Sequence, residues 1–412
     1  MVRSLPCFSM PNPTVLRLPL ALLALAATAS AQEELWKAIT EGEANLSLRW
    51  RYELADDDGR PDPGHASTLR TTLGWRTAPF RGFQGYLEFE DITVVGNELF
   101  DSTINGMTNR GLVADPESTE VNQLLVSYDG FEDVDLTVGR QVIKFGNQRF
   151  VGDVLWRQNQ QTFDAVRADW RPTEEVAVTA AWVENVNRIF GENSPVGDTR
   201  MKSVLFEGSY KGVSDTVVSV FGLLLDADED LPAQSTNTVG LRAVGFTDVG
   251  ELELLYDGSL ATQSDQGDNP NDVDQEYVAA ELGVRWPGSR TTAKVGYEKL
   301  GGSGATGDAF QTPLATAHKF NGWADRFLVT PDAGLEDLYF HVGGKAGRAS
   351  WALRYHVFES DSGGMDYGTE WDAVYQRPLD EYWSLGLKAA YYDADDFSAD
   401  ILRAWFWLEL GL

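Results

Sequence analysis

The chain has almost no cysteine: Cys7 is the single one among 412 residues, and it lies ahead of the apolar run Leu18 to Ala29. It is expected to leave with that run, so disulfides, zinc–thiolate sites and cysteine nucleophiles are excluded. Histidine is nearly as scarce, with only His65, His318, His341 and His356. No Gly-x-Ser-x-Gly elbow appears, so an outer-membrane hydrolase lacks its parts, and no catalytic residue is assigned. Basic residues are outnumbered by 33 to 63, which argues against nucleic acid, whose affinity rests on Lys and Arg meeting phosphates. No apolar run reaches the roughly 20 residues of a spanning helix.

The N-terminus has a recognisable design. Arg3 and Arg17 precede the apolar run, and Ala29-Ser30-Ala31 follow it. This reads as a secretory signal over residues 1–31, cleaved after Ala31, then a short periplasmic segment at 32–43. Losing Arg3 and Arg17 from 33 basic residues against 63 acidic ones leaves a net charge of −32. The plain meaning of that charge is a solvated acidic surface. Asp226 to Asp230, Asp265 to Asp274 and Asp393 to Asp400 do not match a calcium loop, so no metal or other cofactor is assigned. Weak divalent bridging to lipopolysaccharide stays open.

What fills the remainder is alternation. In Ala44 to Leu54, Leu46, Leu48, Trp50, Tyr52 and Leu54 alternate with Asn45, Ser47, Arg49, Arg51 and Glu53. That is a strand with one apolar and one charged face. The pattern returns in Val278, Leu282 and Trp286 against Tyr277, Glu281 and Arg285, and in Trp351, Leu353 and Tyr355 against Arg354 and His356. About 18 such segments run from 44–54 to 400–412, with no linker between domains. The alternation fits a soluble sandwich or a membrane barrel, which differ only in which face meets water.

The connections decide between them. Short turns such as Asp129-Gly130-Phe131-Glu132, Pro172-Thr173-Glu174 and Pro378-Leu379-Asp380 alternate with long segments such as Gly96 to Ser118, Ser259 to Val273 and Gly301 to Gly334. A transmembrane barrel separates short periplasmic turns from long external loops. Trp75, Tyr128, Trp170, Tyr210, Phe246, Trp286 and Tyr375 sit close to the short turns, as an interfacial girdle requires. The fold expected is all-β: one antiparallel barrel over 44–412, in the outer membrane of a Gram-negative cell. The final segment, with Ala404, Phe406, Leu408, Leu410 and Leu412 on one parity, resembles the signal read by the barrel-assembly machinery.

Four further segments carry a resemblance: Gly139-Arg140-Gln141, Arg149-Phe150-Val151-Gly152, Trp156 through Asp164 (WRQNQQTFD), and His318 through Asp325 (HKFNGWAD). Together they resemble the alginate export family of outer-membrane proteins. The resemblance implies a monomeric barrel passing polysaccharide or smaller solutes, with an arginine-lined conduit in members that secrete alginate. A guanidinium wall suits a polyuronate or acidic oligosaccharide, because it pairs with carboxylates at many weak sites and permits sliding. By parity the lumen candidates are Arg49, Arg51, Arg70, Arg76, Arg167, Arg242, Arg285, Arg354, Lys388 and Arg403. On the same face stand Glu53, Glu88, Glu90, Glu207, Glu281, Glu370 and Asp372.

Two alternatives stay open at this point. The opposite charges either leave net anion selectivity or pair across strands and only set pore width. The loop Phe145 to Gln161, with Arg149, Trp156, Arg157 and Gln158, either folds inward as a constriction or caps the barrel outside. Arg140 shares parity with Val138 and Val142, so a bulge or a rim position is expected there. A general diffusion porin with no polysaccharide role, or a closed structural barrel, would carry the same strands.

Overall fold

The computed structural model describes residues 29–227, 231–286, 288 and 290–412. Residues 1–28 of the expected signal, Asp228 to Asp230, and Pro287 and Ser289 of one short turn lie outside the described residues. Helix α1 spans Ala29–Thr40. The strands are β1 (Glu43–Asp57), β2 (Gly64–Arg76), β3 (Phe83–Val94), β4 (Ser118–Phe131), β5 (Val134–Gln141), β6 (Thr162–Trp170), β7 (Val176–Asn187), β8 (Asp198–Val213) and β9 (Thr216–Leu224). They continue as β10 (Thr236–Val249), β11 (Leu252–Asp265), β12 (Asp274–Trp286), β13 (Thr291–Leu300), β14 (Leu335–Ala346), β15 (Ala349–Glu359), β16 (Asp366–Pro378), β17 (Trp383–Ala394) and β18 (Ile401–Gly411). Each pairs antiparallel with its sequence neighbours, and β1 closes on β18 in the register Ser47 to Gly411 through Asp57 to Ile401. Closure removes both sheet edges, which a span through hydrocarbon requires.

The alternation settles as a membrane barrel does. Leu73 is 53% exposed, Leu282 65% and Leu353 44% on the outer wall, while Arg51 and Glu53 are 1% exposed inside. Connections at the girdle end are two to six residues long, and those at the other end run from six to 34. The external set is shorter than expected in places. Ser259 to Val273 reads as a loop in the sequence, yet β11 continues to Asp265, because Ser259, Ala261 and Gln263 keep the inward parity and remain buried. Trp75, Trp170, Tyr210 and Trp286 are exposed on the outer wall beside the short turns.

Local chemistry explains several turns. In 379–382 the Asp380 carboxylate accepts the backbone N–H groups of Trp383 (2.7 Å) and Tyr382 (2.8 Å). Those two bonds hold its carboxyl below the usual range. At Gly139 φ is +121°, and a Cβ there would lie 2.2 Å from the Leu124 carbonyl oxygen. Only glycine fits. No register break accompanies this glycine, and Arg140 pairs at 2.8 Å with Asp164, the residue directly opposite on β6 near the external ends of both strands.

Residues 32–43 lie mostly in α1, which rests against β2 and the turn before β3. Trp75 Nε1 donates to the Ile39 carbonyl (3.0 Å), and Arg81 pairs with Glu34 (2.9 Å). No helix among the described residues is long and apolar enough to cross a membrane.

A charge at mid-strand on the outer wall tests the inside-out arrangement. Leu353→Arg is expected to cost about 2–4 kcal/mol, read from denaturant unfolding of barrels folded into lipid vesicles. A cost below about 0.5 kcal/mol, as at a water-facing surface site, would contradict the membrane placement.

Candidate functional site

Three external loops turn into the barrel instead of capping it. Loop 95–117 enters with Phe100 and Val113, both fully buried, packing on Ala55 and Ala66. Loop 142–161 enters as well, and Arg157, Gln158 and Asn159 are buried. Of the two arrangements open for Phe145 to Gln161, the inward one occurs. Loop 301–334 meets it from the opposite wall. Phe150 packs at 4.4 Å from Phe221 and 5.1 Å from Tyr277, while Phe327 lies 4.6 Å from Phe358. Loop aromatics thus fill space between polar walls.

Charge pairing fastens these loops. Glu53 sits among three guanidinium groups, 2.9 Å from Arg403, 3.3 Å from Arg157 and 3.6 Å from Arg51. Arg51 also grips Asp115 of loop 95–117, and Arg157 grips Asp325 of loop 301–334. Asp115 accepts the Gln158 backbone N–H at 2.8 Å. Arg49 completes the attachment, donating to Gln158 Oε1 (3.0 Å) and to the carbonyls of Leu155 (2.9 Å) and Arg157 (2.6 Å). Arg149 pairs with Glu298 (2.7 Å) and Asn321 (3.0 Å). Buried ions of this kind are tolerable only when paired and hydrogen-bonded throughout.

The ten wall candidates divide accordingly. Arg70 pairs with Glu90 (2.5 Å), Arg167 with Asp169 (2.8 Å), Arg242 with Asp257 (2.5 Å) and Arg285 with Glu253 (2.6 Å), and Arg51 and Arg403 join the Glu53 group. Arg70, Arg242, Arg285 and Arg403 thus pair across neighbouring strands, whereas Arg167 pairs along its own strand and Arg51 with Glu53 of its own strand and with a loop. Arg76 and Arg285 are exposed near the short turns, away from the constriction. Arg49, Arg76, Arg354 and Lys388 form no ion pair with a carboxylate among the described residues. Arg76 lies over the Tyr86 ring (4.4 Å) and Arg354 over Trp323 (5.1 Å).

Lys388 has the least ordinary surroundings. Its Nζ is 4.0 Å from the Trp156 ring centre, 3.9 Å from that of Trp323 and 2.6 Å from His318 Nε2. His318 stacks on Trp156 at 4.8 Å and bonds through Nδ1 to Asp325 (2.6 Å), so Nδ1 holds the proton and Nε2 accepts from the lysine. Trp405 and Trp407 close the group edge-on to Trp156, at 5.6 and 5.4 Å. Two segments far apart in sequence, Trp156-Arg157 and His318 to Asp325, are therefore one site.

Below it opens a cavity of about 620 Å³, bounded by Arg49, Arg51, Lys144, Lys319, Arg354 and Lys388 against only Asp153 and Glu409. Val374, Gln376 and Trp407 place it toward the short-turn side. Lys319 and Arg354 also border a second cavity of about 220 Å³ with Asp257, Glu281, Glu298 and Asp337. Sequence reasoning missed Asp115, one aspartate among many in an aperiodic loop, and Asp325, which nothing in its neighbourhood marks as a partner of Arg157. Inward Trp405 was legible, since it shares parity with Arg403.

An apolar outer wall, sided connections and inward loops narrowing a charged lumen define an outer-membrane channel of the porin type. Solved barrels agree in fold: Pseudomonas aeruginosa OpdL (16% identity, TM-score 0.69, 90% of this chain and 99% of that one) and Acinetobacter baumannii OccAB4 (13%, 0.70, 91% and 99%). Pseudomonas aeruginosa OpdK, solved with vanillate, is similar at 13% identity and TM-score 0.69 over 91% and 99% of the two chains. No curated protein matches the chain. Residues 43–320 match the alginate export family, and the chain belongs to that family of outer-membrane proteins.

Glu53→Gln is expected to destabilise the barrel by about 3–5 kcal/mol, by leaving buried guanidinium groups short of a counter-ion. It should also expose the bond after Arg157 to trypsin. Unchanged unfolding and unchanged protection would remove Glu53 from the centre of the loop attachment.

Proposed function

We propose that the channel passes carboxylated solutes passively, uronate-type sugars and their short oligomers above all, one chain at a time. The observation behind this reading is the basic cavity: in a chain of net charge −30, it collects six cations against two carboxylates, and Arg49, Arg354 and Lys388 make no ion-pair contact with a carboxylate among the described residues. Guanidinium and ammonium groups replace the water a carboxylate loses on entering a narrow lumen. Tryptophan faces beside them suit the apolar face of a sugar ring. Family membership is consistent with a uronate cargo, and the vanillate bound by the similar OpdK barrel is also a carboxylate. The acidic outer loops repel polyanions arriving from outside, which favours export of a polymer over its uptake.

A general diffusion porin is the second reading, favoured by the six paired arginines, whose net field is small. Planar-bilayer recording separates the two. Anion-selective reversal potentials and current block by oligouronates are expected, with selectivity reduced in Arg354→Gln. Cation-selective or unblocked current would leave a diffusion porin and discard the uronate cargo.

A further inference from the structure

Resting on the carboxylate reading above, we propose that Lys388 is a latch operated by the solute's own carboxylate, holding Trp156 and Trp323 across the passage until an anion displaces them.

The geometry of the latch is that of an incomplete ion pair. Lys388 is 8% exposed and its ammonium contacts two indole faces, at 4.0 and 3.9 Å, and a neutral imidazole nitrogen at 2.6 Å. The two carboxylates that face it are out of ion-pair contact and engaged elsewhere: Asp325 by Arg157 and by His318 Nδ1, and Asp372 on the adjacent β16 by His356 (3.6 Å) and the Trp323 backbone N–H (3.4 Å). A buried cation with no carboxylate in direct contact is costly, and π faces offset that cost only in part. A carboxylate supplied from outside completes the pair with a charge-assisted hydrogen bond, which is stronger than the indole contacts it replaces. The site already opens on the basic cavity, through which an anion arrives.

The aromatic side of the latch has an unfilled need as well. Trp156 Nε1 and Trp405 Nε1 are buried and have no acceptor among the described residues. An indole N–H left unpaired in the interior is destabilising, and the hydroxyl or carboxylate oxygens of a uronate are suitable acceptors. One ligand would thus satisfy three groups at once: the ammonium and two indoles.

Movement is confined to side chains. Trp156 stands next to Arg157, and Trp323 two residues before Asp325, so the Arg157–Asp325 pair anchors both loop backbones. Trp156 belongs to loop 142–161 and Trp323 to loop 301–334, while Lys388 is on β17, so the contact spans the gap between two loops and the wall. Turning the two rings off the lysine widens that gap without unfolding either loop.

Single-channel recording of the full-length protein with sodium glucuronate in the bath tests this. In the wild type, glucuronate is expected to lengthen open dwell times about tenfold, the size of one to two desolvated cation–π contacts. Lys388→Met should hold the channel open without glucuronate and abolish the response. Lys388→Arg, which keeps a charge able to stack on indole, should retain it, and Trp156→Leu should lengthen openings in the absence of solute. A glucuronate response preserved in Lys388→Met overturns the latch. Anion selectivity with dwell times indifferent to glucuronate also overturns it, while sparing the carboxylate reading. Current that is neither anion-selective nor affected by glucuronate overturns both.

Discussion

Glu53, wedged between Arg157, Arg403 and Arg51, is the interaction on which the interior is organised. An 18-stranded wall encloses more space than its own side chains fill, so the lumen either stays open to water or is occupied by loops. Loops carry unsatisfied backbone and charged groups, and they can enter only where the wall offers partners. Glu53 and Arg51 offer them. Through them and Asp115 the loop 95–117 is fixed, and through Arg157 and Asp325 the loops 142–161 and 301–334 are fixed to the wall and to one another.

The same arrangement explains which charges remain for a solute. Where a base meets an acid on the next strand, as Arg70 meets Glu90 or Arg242 meets Asp257, the pair sets width and contributes little field. Where loop backbone and indole rings occupy the neighbourhood instead, as at Arg49, Arg354 and Lys388, the positive charge has no carboxylate in ion-pair contact among the described residues, although Glu409 and Asp372 stand opposite Arg49 and Arg354 on the neighbouring strands. The strongly acidic chain therefore contains an internal basic pocket, separated from its acidic loops by the constriction.

Much of the wall was legible from one-dimensional pattern. The inward set Arg49, Arg51 and Glu53 and the outward set Leu48, Trp50 and Tyr52 follow from period-two alternation, and the even strand count follows from turn parity. The positions of loop ends did not. β11 runs on to Asp265 because serine, alanine and glutamine pair in a ladder as readily as apolar residues when they face a filled interior. Arg140 is out of phase with the wall pattern, and it is accommodated by Asp164 directly opposite on β6, in an unbroken register. Loop burial was undecidable from sequence, since Arg149, Trp156 and Arg157 suit a solvent-facing cap as well as a constriction.

Sequence alone determined the compartment, the strand count, which face meets lipid and the side on which the long loops emerge, because each depends on residue spacing that survives without knowledge of the fold. Only the tertiary structure decided that loops fill the lumen, which arginines are neutralised and that Lys388 lies between two tryptophans. The loop filling and the lysine site depend on contacts between residues separated by more than 60 positions, such as Arg157 with Asp325 and Lys388 with His318, and the wall pairs on strand register. No local periodicity encodes such pairings. They are selected when closure of the barrel brings distant charges into one low-dielectric space and makes an unpaired one expensive.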